Sequence, residues 1–207
     1  MLETMYILLL GKFKDKIIAW DHFIEFLAVD NSGHLIFQLN HKFEWLFEDK
    51  QLLKSIKNIY NSTLLNSDYY DHLGEMYQEK ILTQKQSQSK FLSMDEAFSK
   101  AEATIKKTDS PIKILDTCVG SGRYLMAIYK INPNAVLFGV GKDLRALRIA
   151  YTNFAIHGIR GYLLHADTLL HEINLDIDAG KYNWEFSNKW HSCQDKLRIK
   201  NQTLKVS

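Results

Sequence analysis

Between Ile114 and Leu125 the chain reads Ile-Leu-Asp-Thr-Cys-Val-Gly-Ser-Gly-Arg-Tyr-Leu: an apolar run ending in an acid, two glycines one residue apart, then a helix-forming segment. A strand, a tight turn and a helix start in that order restrict the fold more than any other stretch. Glycines at this spacing admit torsions forbidden to side chains and let backbone approach a ligand, while the following helix offers free N–H groups. The alternation continues with a strand from Ala135 to Val140, a helix from Asp143 to His157 and a strand from Tyr162 to His165. Such alternation predicts a parallel sheet wrapped by helices.

Differences from other glycine motifs narrow the ligand. A dinucleotide fingerprint requires a third Gly or Ala three residues after the second glycine, where Leu125 stands. A phosphate-cradling loop around Gly141-Lys142 would need a glycine at Val136 and a hydroxyl residue at Asp143. An acid-ended strand followed by Gly-x-Gly suits instead a cofactor with an amino-acid group and a ribose but no phosphate, a description that S-adenosylmethionine fits.

Upstream, Ile17, Ile18, Trp20, Phe23, Ile24, Phe26 and Leu27 recur at helical spacing, as do Phe43, Leu46, Phe47, Leu52, Leu53, Ile56 and Ile59. These stripes predict core rather than a ligand site. Asp30-Asn31-Ser32-Gly33 predicts a turn between them, and the polar run 83–90 a mobile loop. Ser93 with Glu96 forms a capping-box signature that opens a helix to about Lys107. The chain thus divides into an N-terminal helical region, 1–92, and an α/β domain, 93–207. Net charge is +2, too small to demand a nucleic-acid partner by itself. Cys118 and Cys193 lie far apart, no Cys/His spacing matches a zinc site, and the short apolar run 6–10 predicts no membrane span. A cytoplasmic protein is expected.

The run Asp116-Thr117-Cys118-Val119-Gly120-Ser121-Gly122-Arg123-Tyr124-Leu125 resembles the first motif of the N6-adenine DNA methyltransferases of restriction-modification systems, Asp-Pro-x-x-Gly-Ser-Gly-x-x-Leu. The similarity extends through 137–143, 146–153 and 156–159 to Ala166-Asp167-Thr168-Leu169. Upstream, Asp71-His72-Leu73-Gly74-Glu75-Met76-Tyr77 is similar to that family's Leu-Gly-x-x-Tyr-Glu helix. The resemblance covers roughly 68–190. It implies a Rossmann-like methyltransferase sheet, incomplete here at about four parallel strands, with S-adenosylmethionine as cofactor and DNA as partner. It also implies that Asp116 orients the methionine end of the cofactor, that Gly120 and Gly122 permit backbone approach, and that Asp167 contacts the adenine amino group.

Three departures accompany the resemblance. The family's ribose-binding acid falls at Gly141, leaving Asp143 either to reach the ribose or to cap the next helix. The family's Asn/Asp-Pro-Pro-Tyr/Phe motif has no counterpart with prolines, since only Pro111 and Pro133 exist; Asn183-Trp184-Glu185-Phe186 is the nearest match, with Asn183 and Phe186 in the catalytic positions. Only residues 191–207 follow Trp190, so an open sheet edge is expected, to be covered by a second copy, by a protein partner or by the chain's own tail. Two functions follow from the sequence: methyl transfer to the exocyclic amine of a flipped adenine, or a catalytically silent binding or regulatory module.

Overall fold

The computed structural model describes residues 2–32, 48–64, 69–82, 91–105 and 112–166. Helix α1 (Leu2–Phe13) ends at Lys14, whose φ of 59° turns the chain, and Asp15 then caps α2 (Lys16–Ser32) by accepting from the amides of Ile17 and Ile18 at 2.8 and 2.9 Å. This two-residue connection fixes an αα hairpin. Its core holds Met5, Leu9, Trp20, Phe23, Ile24 and Leu27, with Ile56 from α3 (Lys50–Leu64) buried among them. The apolar stripe predicted for α2 is therefore core, although Ile18 stays exposed. Asp30, Asn31 and Ser32 continue α2 rather than forming the expected turn. Their weak helix propensity costs only tenths of a kcal/mol each relative to better formers, too little to stop an established helix.

Helix α4 (His72–Met76) passes directly into one π turn (Tyr77–Ile81), and α5 (Met94–Thr104) begins with the predicted capping box: Ser93 Oγ accepts from the Glu96 amide, and the Glu96 carboxylate accepts from the Ser93 amide. Then follow β1 (Lys113–Asp116), α6 (Arg123–Ile131), β2 (Val136–Gly141), α7 (Leu144–Ile156) and β3 (Gly161–His165). The described strands form one parallel sheet in the order β1-β2-β3, with Asp116 opposite Gly139 and Gly141 opposite His165. Both crossovers run in the same direction, so right-handed connection places α6 and α7 on the same face. On the other face Phe138 stacks on Tyr162 at 5.0 Å. The expected fourth strand lies outside the described residues.

Helix α7 belongs to two cores. Leu147, Ala150, Tyr151 and Phe154 join the sheet core with Leu125, Ile128, Leu137 and Leu163, whereas Ile149 is buried among the N-terminal helices. Two ion pairs bind α2 to the same helix. Arg145 grips Asp21 bidentately at 2.6 and 2.8 Å, and Arg148 meets Glu25 at 2.8 Å in a buried pair. The N-terminal helices thus seat on the helix that follows β2.

Candidate functional site

Parallel strands carry their ligands at the carboxyl ends, and here those ends bring together Asp116, the 117–122 turn, Gly141 and His165. The turn closes tightly: the Gly122 amide donates to the Val119 carbonyl at 2.8 Å, and the Val119 amide donates to the Val140 carbonyl of β2 at 2.9 Å. Gly120 and Gly122 have φ of 52° and 90°, a region that side chains disfavour. Each also meets close neighbours. A β-carbon on Gly120 would lie 3.0 Å from the Phe91 ring, and one on Gly122 would lie 3.0 Å from Phe154 and 3.2 Å from Ala150 of α7. The second glycine therefore lets α6 start against α7.

Asp116 ends β1 half-buried, and its Oδ1 accepts from the Cys118 amide at 3.0 Å. Burial pushes its carboxyl above the usual aspartate range, against the opposing pull of that amide and of Lys100. A carboxylate so placed gains from a cationic ligand group.

Asp143 is the N-cap of α7. Its Oδ1 accepts from the amides of Arg145 and Ala146 at 2.9 and 3.3 Å, while Oδ2 accepts from the Tyr77 hydroxyl at 2.9 Å. Burial first, and then the Asp143 carboxylate, raise the Tyr77 hydroxyl well above its ordinary range, so it remains a donor. Gly141 presents no acid, and a β-carbon there would lie 3.2 Å from Val119 and 3.4 Å from Leu147. Beside it, Nε2–H of His165 donates to the Lys142 carbonyl at 3.0 Å.

Of the seven site residues expected from the sequence, the structure gathers Asp116, Gly120, Gly122 and Asp143 around this end of the sheet. Asp167, Asn183 and Phe186 lie outside the described residues. Beneath the turn is a polar cluster that the sequence reading did not assemble. Asp71, fully buried, accepts from four donors: Ser121 Oγ at 2.5 Å and Arg123 Nε at 2.6 Å on Oδ2, and the Gly74 amide at 2.6 Å and Asn153 Nδ2 at 2.8 Å on Oδ1. Arg123 also donates to the Leu92 carbonyl at 2.8 Å and pairs with Glu75 at 2.9 Å. A β-carbon on Gly74 would overlap the Asp71 carboxylate, which explains the Asp-x-x-Gly spacing. That spacing, a cap residue three before a glycine, was the available signal.

Among the described residues no helix is long and apolar enough to cross a membrane, and no group of three His, Cys, Asp or Glu residues is placed to hold a metal ion. Neither curated proteins nor solved structures provide a match. The family described as N-6 DNA Methylase does, its model matching residues 66–206.

Proposed function

The chain belongs to the N-6 DNA methylase family, and from that premise we propose that it transfers a methyl group from S-adenosylmethionine to the exocyclic amine of an adenine flipped out of DNA. The observation that carries the reading is the half-buried Asp116 carboxylate beside a two-glycine turn, at the carboxyl ends of parallel strands. This site fits the amino-acid end of the cofactor: a half-buried acceptor that gains from a cationic partner, next to a turn whose Gly120 backbone is partly exposed. The bound cofactor supplies an electrophilic methyl group on a sulfonium.

The chain's residues do the remainder. Asp116 accepts from the cofactor's amino group, the Gly120 backbone lies against its chain, and Gly122, buried against α7, shapes the turn that allows this approach. With no acid at Gly141, Asp143 is the candidate for the ribose hydroxyls. A carboxylate has about four acceptor sites; three are taken by Arg145, Ala146 and Tyr77, which leaves one on the exposed side chain. Asp167 accepts from the cofactor's adenine amine. Asn183 accepts a hydrogen bond from the target amine, and Phe186 stacks on the flipped base. Without prolines, the Asn-Trp-Glu-Phe segment lacks the fixed φ angles that Asn-Pro-Pro-Phe would have.

Calorimetric titration with S-adenosylmethionine, followed by labelled methyl transfer to adenine-containing DNA, tests the reading. Micromolar binding with transfer that Asn183→Ala abolishes supports it. Transfer unchanged by Asn183→Ala removes that segment from the mechanism. Binding without transfer favours a second reading, a silent binding module, which Gly141 and the absent prolines already support. No binding at millimolar ligand removes the cofactor from both readings.

A further inference from the structure

We propose that Asp71 is a positioning residue for the cofactor turn, holding the 120–122 backbone in its ligand-accepting shape without touching the ligand. The inference rests on the cofactor reading above. Asp71 is 0% exposed and Ser121 is 1% exposed, so neither side chain reaches a ligand at the strand ends. Yet Asp71 binds the hydroxyl of the residue between the two glycines and the guanidinium of the first residue of α6. Its other oxygen binds Asn153 of α7, whose amide group also donates to the Ser121 carbonyl at 3.0 Å. Ser121 is thus fixed at both side chain and backbone. Without these bonds, a turn with two left-handed glycines has many conformations to sample.

The same short segment reaches the second loop of the site. Six residues after Asp71, Tyr77 bonds Asp143 at the β2–α7 turn. Helix α4 and its π turn therefore set the 117–122 turn and the 141–143 turn relative to one another. Phe91, stacked near Tyr77 at 6.1 Å and set 5.6 Å from the Arg123 guanidinium, closes the gap between the two anchors.

The test compares the full chain with Asp71→Asn, Ser121→Ala and, as a control, Ile56→Ala, which thins the N-terminal core away from the turn. Two quantities are measured on each: amide hydrogen exchange across 117–123 and S-adenosylmethionine affinity by calorimetry. Losing hydrogen bonds to a buried charge weakens affinity by about ten- to a hundredfold in Asp71→Asn. Ser121→Ala weakens it by about fivefold, the share of one hydrogen bond of ordinary strength. Exchange across the turn quickens in both variants, and both quantities remain at wild-type values in Ile56→Ala. Equal affinity loss in Ile56→Ala and Asp71→Asn reduces Asp71 to a generally stabilising residue and overturns the proposal, as does unchanged affinity in Ser121→Ala and Asp71→Asn. If Asp71→Asn does not fold, Ser121→Ala decides. Failure of the wild type itself to bind removes the cofactor reading and with it the ligand half of the proposal. Exchange then decides the other half, and unchanged exchange in the variants overturns it.

Discussion

Gly120 carries two separate constraints, its φ of 52° and the Phe91 ring 3.0 Å from where a β-carbon would stand. A β-branched residue there violates both. Gly120→Val is expected to lose about 2 kcal/mol or more of stability in urea unfolding without any ligand. Adding Phe91→Ala recovers only the steric share; full recovery would show that the torsion costs nothing. Loss of cofactor affinity in Gly120→Val is thus to be read beside its stability, because the clash begins inside the protein.

Asp116 supplies a pH prediction. Its folded pKa is raised by burial, so the native state holds the proton at pH values where the unfolded chain has lost it. Stability contributed by this group therefore falls as pH rises through that window. Asp116→Asn should flatten this slope in melting experiments. Under the proposed function ligand binding has the opposite sense: only the carboxylate accepts from a cationic amine, so affinity is expected to fall on acidification, with a midpoint above the ordinary aspartate value. A pH-independent affinity between neutrality and pH ~4 would remove Asp116 from the site.

At the scale of elements, strand–turn–helix from Lys113 to Ile131 was legible because each part has a local cause: apolar run, glycine pair, amphipathic helix. The capping box of α5 was legible for the same reason. Ser93→Ala, which removes the acceptor for the Glu96 amide at 3.1 Å, should cost about 1 kcal/mol. Chemical denaturation measures this, and a cost near zero would mean that water replaces the cap. The Asp143 N-cap was one of two alternatives, and its geometry fulfils the cap directly. The Asp71 cluster was not legible, since its partners Ser121, Arg123 and Asn153 stand 50, 52 and 82 residues away and each is an unremarkable polar residue alone. Asp30–Ser32 failed in the other direction: local turn preference yielded to a helix already seated on α7.

For the whole molecule, α7 is the shared wall of two cores, and its charged residues decide how firmly they join. The Arg148–Glu25 pair is buried on both sides, whereas Arg145–Asp21 is about one-third exposed. Arg148→Ala removes the cation 2.8 Å from a buried carboxylate and should cost about 3–5 kcal/mol. Arg145→Ala should cost about 1 kcal/mol or less. Urea unfolding ranks the two variants, and equal costs would mean that Glu25 finds another donor. Fluorescence from Trp20, at 0% exposure in the first core, should report the same transition as far-ultraviolet circular dichroism.

The long reach of Asp71 also has a consequence for the order in which the protein is made. Synthesis delivers this carboxylate first, Ser121 and Arg123 later, and Asn153 last, 82 residues downstream. At typical translation rates that interval is roughly 4–16 s. Until Arg123 appears, 52 residues on, the acid must remain hydrated, because burial without that cation would strand a charge. The glycine turn is therefore expected to acquire its fixed shape only after α7 has followed it out of the ribosome, so that the nascent chain completes this turn as a late event of its own biosynthesis.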